Sequence, residues 1–440
     1  MTTIRLYPIP ALRDALSPIL LAAALFLTPA LSACAANPPP ATPTPRPAPP
    51  SPSTTPTTPP PSAAIADRPF AGLWITRFDY KTPDDIRTAI DRAADTGFTD
   101  VLFQVRGQAD AYYRSALEPW GEELFKGLPP NTSDPGFDPL AVAVERSRQR
   151  GLRIHAWVNI MPLWKGTTPP RDPRHPYHTR SEWRLRDAAN KSQPLNDHYV
   201  IVNPLIPSVH DHIVAVCRDI VMRYPIDGLH MDYVRFVSDS MKDPAVYPGD
   251  ARSIALFEEA TGKKFATPEG KAAMRDFKRD RITDLVRRLK REAAGARPGV
   301  EFTAAVWRRP DLARDTYLQD AALWLREGTL DRALPMIYTK DDAQFTSDLA
   351  AWAAAAPPPA RIAPGVGIYL QAPGATGPQF RTMAERKTAG FALFAYDSMF
   401  ETSNPLQNKS PASVAERAAR LKGIAPEVRK YLDSARRAGP

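Results

Sequence analysis

The chain has 440 residues, with 57 Lys and Arg against 48 Asp and Glu, for a formal net charge of +9 with His neutral. Its two cysteines, Cys34 and Cys217, are too few for a disulfide framework. The basic excess raises nucleic acid as a partner, but no recognised nucleic-acid module accompanies it, and much of it lies on amphipathic stretches such as 279–291, so no nucleic-acid partner is expected.

Residues 1–33 read as an export signal. Arg5 and Arg13 supply positive charge, and the apolar run from Ile19 to Leu31 is shorter than the ~20 residues of a spanning helix. The following Leu31-Ser32-Ala33-Cys34 resembles the bacterial lipobox, which implies lipidation of Cys34 and a membrane contact through an N-terminal lipid anchor. A plain secretory signal cut near Ala36 is the alternative. Ala35 follows the cysteine where inner-membrane lipoproteins carry Asp. By that resemblance the expected location is the cell envelope, on the periplasmic face of the outer membrane. Residues 34–66 hold Cys34 and then Pro, Thr, Ser and Ala almost without large apolar side chains, so they cannot bury a core and read as an extended tether. Some 27 residues of polyproline type reach on the order of 80 Å, which suits a substrate fixed in the envelope.

Residues 67–405 form the globular part, and residues 406–440 read as a short C-terminal helical extension. Strand-like and helix-like patterns alternate, which predicts a parallel α/β sheet. Eight strands are expected: Ala71–Phe78, Asp100–Val105, Arg153–Asn159, Gly228–Tyr233, Glu301–Val306, Arg332–Tyr338, Ile362–Ile368 and Phe391–Tyr396. Helices are expected from Pro83 to Asp95 with Thr82 as N-cap, from Pro139 to Gln149 with Gly151 as its stop, from Val209 to Tyr224, and from Pro268 to Ala294 opened by Thr267-Pro268. Eight strands with helical crossovers point to a (β/α)8 TIM barrel. An open doubly wound sheet lacks support, because no glycine-rich phosphate loop follows the first strand. Cys217 falls in an apolar helical pattern and reads as a small buried hydrophobe.

Barrel chemistry collects at the C-terminal ends of the strands. The fourth strand puts Gly228, His230 and Asp232 on one face and ends in a carboxylate. The second ends with Gln104 and Arg106, read as sharing a face, and Asp110 follows in the loop. Arg106 either clamps a ligand or forms a structural ion pair, and Asp110 is an acid/base group or a cap. The third aligns His155, Trp157 and Asn159, an odd set to bury unless it lines a polar pocket. Trp307, Tyr338 and Tyr396 end the fifth, sixth and eighth strands, and aromatic faces with hydroxyl-binding groups fit a sugar. The seven histidines are scattered, and His210-Asp211-His212 reads as a solvated helix start, so neither a metal nor a cofactor is expected.

These pieces, from Ala71-Gly72-Leu73-Trp74 through Phe103-Gln104-Val105-Arg106, His155-Ala156-Trp157-Val158-Asn159, Val202-Asn203-Pro204 and Asp227-Gly228-Leu229-His230-Met231-Asp232-Tyr233-Val234-Arg235-Phe236 to Leu334-Pro335-Met336-Ile337-Tyr338, resemble in order the glycosyl-hydrolase-like family 10 barrels. The resemblance departs at Gly107, where the family has proline, and at Thr339, where it has tryptophan. It implies an exported or lipid-anchored glycosidase acting on a glycan partner such as peptidoglycan. It also implies Asp232 as the main catalytic carboxylate. With it, Asp110 is taken as the second carboxylate, and Arg106, His155, Asn159, His230, Trp307 and Tyr338 as substrate-binding residues. Asp311, Asp341, Asp342 and Asp397 remain other partners for Asp232, and attack by a substrate acetamido group would remove the need for a carboxylate nucleophile. A glycan-binding barrel without catalysis is the alternative.

Overall fold

A computed structural model of the chain describes residues 69–128, 132–236, 246–356, 361–402 and 414–438. The expected export signal, Cys34 and the tether lie outside the described residues.

Eight parallel strands form the sheet: β1 (Phe70–Ile75), β2 (Asp100–Arg106), β3 (Arg153–Asn159), β4 (Gly228–Asp232), β5 (Glu301–Val306), β6 (Arg332–Pro335), β7 (Gly365–Gly367) and β8 (Gly390–Phe394). They pair in the order β6-β5-β4-β3-β2-β1-β8-β7. The seam between β6 and β7 is closed by two parallel bridges, Ala333 with Ile362 and Met336 with Gly365. The result is the (β/α)8 barrel that the alternation of patterns predicts.

Several strands stop short of their expected ends, each for a local reason. Tyr233 takes a positive φ of 50° and leaves β4. Thr76 turns away from β1, its N–H held by the Asp79 carboxylate at 2.6 Å. Pro335 and Pro364 have no N–H to give a ladder, so β6 and β7 shrink to four and three residues. An antiparallel pair, Pro162–Lys165 with Tyr199–Ile201, stands between β3 and β4, and the strand patterns did not anticipate it.

Helices cover the barrel as their caps and periodicity dictate. The helix Pro83–Thr96 has a full capping box between Thr82 and Asp85 and buries Ile86, Ala89, Ile90 and Ala93 at helical spacing. Pro139–Gln149 and Pro268–Ala296 start at Asp138 and Thr267 caps. Pro207–Arg223 buries Cys217, and burial pushes that thiol up to about 12. The solvated reading of its start does not hold. His210 is buried, with its ring 2.8 Å from the Pro204 carbonyl, and His212 lies 2.9 Å from Glu118. The C-terminal extension is one helix, Val414–Ala438. It packs on the barrel through Ile424, Val428 and Tyr431, whose hydroxyl donates to the Thr388 carbonyl at 2.8 Å.

Strand alternation divides the core. Leu73, Val101, Phe103, Ile154, Leu229, Met231 and Phe302 face the helices in the main apolar layer. Phe70, Trp74, Leu102, Trp157, Leu334, Ala363 and Ala392 fill the barrel interior. At its N-terminal end the interior is ionic. Asp100 pairs with Arg153 and with the His155 ring at 2.9 Å, and Glu301 pairs with Arg332 at 2.9 Å. Burial opposes the charge on Asp100, but Arg153 and His155 overcome it and hold the carboxyl down at about 2. A carboxyl depressed in the folded state contributes stability above the unfolded value of about 3.9, and that contribution is lost as pH falls through the folded value. Melting temperature should therefore decline from roughly pH 4 toward pH 2. Asp100→Asn should lower it at neutral pH and make the acid decline shallower; an unchanged acid slope in that variant would contradict the assignment.

Candidate active site

The site is built at the C-terminal rim, around Asp232. The β3–β4 register sets Asn159 directly beside it. One carboxylate oxygen, Oδ1, accepts from the Tyr233 N–H at 2.6 Å and from Arg235 Nη1 at 3.1 Å. The left-handed turn at Tyr233 is what swings its N–H back onto the preceding side chain. Both Asp232 and Arg235 are largely buried, at 6% and 5% exposure. The Arg235 guanidinium lies 4.2 Å from the Tyr233 ring centre and 5.7 Å from that of Trp307, which itself packs on Tyr317 at 3.9 Å. Two donors on one oxygen fix the carboxylate in one orientation, as a reacting group requires.

Across the mouth stands an aromatic wall. Tyr338 stacks on Phe394 at 5.5 Å, and Tyr369, 44% exposed, packs edge-on to both at 6.2 Å. Sequence reading singled out Tyr338 but missed Tyr369 and Phe394. Tyr369 lies in a short turn of helix after β7 and Phe394 is the last residue of β8, positions where alternation gives little signal. Burial, and then the nearby charge of Asp232, push the Tyr338 phenol well up, so it stays a protonated hydroxyl donor. Tyr396, also read as a mouth aromatic, is buried against Phe400 and accepts a hydrogen bond from Arg92 at 2.9 Å on the outer side of the barrel.

Three residues read as substrate-binding are placed elsewhere. A register shift between Gln104 and Arg106 breaks the alternation, so the two do not share a face. Arg106 is buried in a bidentate pair with Glu118, at 2.8 Å from both Nε and Nη2, and its Nη1 donates to the Asn159 and Ile160 carbonyls. That is the structural ion pair, and although burial opposes it, Arg106 and His212 hold Glu118 down at about 2. His155 is fully buried at the N-terminal end on Asp100. Gly228 makes room for it, since a Cβ there would stand 2.0 Å from Nδ1. His230 lies one layer below Asp232 with both ring nitrogens engaged. Trp74 Nε1, which can only donate, gives its hydrogen to Nε2 at 3.1 Å, so Nδ1 carries the proton and donates to Thr303 Oγ1 at 2.8 Å. Burial, and then His155, push this imidazole well below its ordinary value, so it is neutral packing.

Of the other carboxylates read as partners for Asp232, Asp341 and Asp311 are engaged elsewhere. Asp341 caps the helix Asp342–Ala355 through two backbone N–H groups. Asp311 pairs with Arg309 at 3.0 Å. Asp110 is buried, and its Oδ1 accepts from the Gly107 and Gln108 N–H groups at 3.1 and 2.9 Å, closing its own turn. Among the described residues its Oδ2 has no protein partner, and neither do Asn159 Oδ1 and Trp157 Nε1. Buried polar atoms left open in this way are uncommon.

A family profile described as Glycosyl hydrolase-like 10 matches residues 69–371. Among curated relatives, Glycosyl hydrolase DigH of Escherichia coli K12 is 26% identical over 349 residues, covering 69% of this chain and 73% of the relative. Glycosyl hydrolase YngK of Bacillus subtilis 168 is 28% identical, with 57% of this chain aligned to 48% of the relative. Among solved structures, the PgaB (BpsB) glycoside hydrolase domain from Bordetella bronchiseptica superposes with a TM-score of 0.58 at 12% identity, covering 83% of this chain and 98% of that domain. The alpha-L-fucosidase isoenzyme 2 from Paenibacillus thiaminolyticus gives 0.52, also at 12% identity, covering 81% and 48%. At such identities the structural likeness is one of fold alone. The match over residues 69–371, with curated relatives aligned through the same barrel, establishes that the chain belongs to the glycosyl hydrolase-like 10 family.

Proposed function

We propose that the chain is a glycoside hydrolase of the cell envelope that cleaves peptidoglycan glycan or a similar amino-sugar polysaccharide, with Asp232 as its main catalytic carboxylate. The observation that carries this reading is the Asp232 carboxyl at the C-terminal end of β4, held by two donors on one oxygen and facing an aromatic mouth. Names of relatives as glycosyl hydrolases support the reaction class. Trp307, Tyr338 and Tyr369 offer ring faces for the apolar faces of sugars, and Asn159 and Tyr338 offer polar atoms for their hydroxyl or amide groups.

Hydrolysis of a glycosidic bond ordinarily uses two carboxyl groups across the scissile linkage. Here Asp341 and Asp311 are engaged elsewhere, and Asp110 retains one open oxygen. Asp110 is thus the carboxyl left to act with Asp232, and an N-acetylated sugar offers the alternative of attack from within the substrate. The acetamido oxygen of an N-acetylated sugar bonds to the anomeric carbon as the glycosidic C–O bond breaks, and Asp232, which enters this step protonated on Oδ2, delivers that proton to the departing oxygen. A water molecule then opens the cyclic intermediate and returns its proton to Asp232. Asp110 supplies a second carboxyl if the sugar lacks an acetyl group. The engagement of Asp341 and Asp311 is also the observation that favours a purely glycan-binding barrel, and one experiment separates the two. Purified protein incubated with peptidoglycan glycan strands, with and without stem peptides, should release saccharides detectable by mass spectrometry. Asp232→Asn should reduce release by about 10²-fold or more. Glycan retained by both proteins with no saccharide released would overturn catalysis and favour binding alone.

The same reading places the barrel on a lipid anchor at Cys34, with the proline-rich segment as tether. Cells fed an alkyne-bearing palmitate should label the native chain and not Cys34→Ser. Absence of label on the native chain would contradict the anchor.

A further inference from the structure

Resting on that reading of Asp232, we infer that Tyr199 is a positioning residue for the catalytic carboxylate, acting through Tyr233. Both donors on Asp232 Oδ1 depend on Tyr233. One is its own N–H, at 2.6 Å, and the other is Arg235, whose guanidinium lies 4.2 Å from the Tyr233 ring centre. Tyr233 reaches this arrangement only at φ 50°, a left-handed conformation that bulky residues avoid and that persists where surrounding contacts impose it.

The imposing contact comes from the unanticipated antiparallel pair. Tyr199, 9% exposed, packs edge-to-face on the Tyr233 ring at 5.0 Å and 71°, on a ring that Arg235 also contacts. Tyr199 is itself fixed from the turn after β1, since Arg77 Nη2 donates to its hydroxyl at 3.2 Å while Arg77 Nη1 donates to Gln104 Oε1 at 3.2 Å. The main chain adds that the Asp232 and Tyr233 carbonyls accept from the Ile160 and Met161 N–H groups at 2.8 and 3.3 Å, at the root of the same excursion. The insertion between β3 and β4 thus reaches back over β4 and holds the residue that aims Asp232. Tyr199 touches no reacting atom in this account, so its effect falls on turnover and not on substrate affinity.

The test uses the full-length protein and the saccharide-release assay, with Asp232→Asn alongside. Tyr199→Ala should lower kcat by about 10-fold with KM changed by no more than about 2-fold, and Tyr199→Phe, which keeps the ring, should restore most of kcat. Asp232→Asn inactive with Tyr199→Ala at native kcat, or Tyr199→Phe as impaired as Tyr199→Ala, overturns the positioning role and leaves the hydrolase reading intact. Asp232→Asn as active as the native chain overturns the role of Asp232 on which the inference rests, and no saccharide released by the native chain overturns the hydrolase reading. A second arm needs no substrate. Glycine adopts the left-handed conformation freely, so Tyr199→Ala should lower the melting temperature in the native background and roughly half as much or less when combined with Tyr233→Gly. Equal shifts in both backgrounds mean that Tyr199 does not hold Tyr233, and the inference fails even if no glycan is cleaved.

Discussion

In a closed eight-stranded barrel every second side chain points into one narrow, dry interior, and a polar group there must find a partner or lose the free energy of hydration. This chain puts an unusual number of polar groups inside, and the way they pair divides the barrel along its axis. At the N-terminal end Asp100 pairs with Arg153 and with His155 Nε2, and Glu301 pairs with Arg332. In the middle, His230 is closed off by Trp74 and Thr303. At the C-terminal rim, polar atoms of Asn159 and Trp157, beside the strand that ends in Asp232, and of Asp110, in the loop after β2, have no partner among the described residues. The proposed chemistry draws on the open atoms of that rim.

The barrel itself was legible in the sequence because its signals are local and repeated. Caps such as Thr82 and Thr267 and the alternation in β3 and β4 place those elements within a residue or two. Asp232 was legible because a carboxylate ending a buried strand is conspicuous. His155 and His230 share one cause, since alternation tells which face a residue shares but not how deep along the barrel it sits. His155 is the third residue of β3 and lies far from the rim, while Arg106 leaves the face through a register shift that no periodicity announces. The histidines follow the rule that buried imidazoles are often satisfied packing groups, and their spacing in the chain could not distinguish the two roles.

What the sequence concealed most completely was the support of the site. Tyr199, Arg77 and Tyr369 come from an antiparallel excursion, a turn after β1 and the segment after β7, each too short for a pattern. They converge on Asp232 only through the folded topology. Tyr233 illustrates the same point, because its positive φ ends a strand that its side chain would otherwise extend, and that local departure aims a backbone donor at the carboxylate. Sites of this kind violate local preference where function requires it, and the surrounding packing sustains the violation.

The most direct measurement is the crystal structure of Asp232→Asn bound to an N-acetylated amino-sugar oligosaccharide long enough to cross the mouth. The account predicts the scissile glycosidic oxygen within hydrogen-bond distance of residue 232, sugar rings against Trp307, Tyr338 or Tyr369, and an acetamido group turned toward the anomeric carbon. An oligosaccharide bound away from residue 232, or one crossing the mouth with no glycosidic oxygen near it, would contradict the assignment of Asp232 as the catalytic carboxylate.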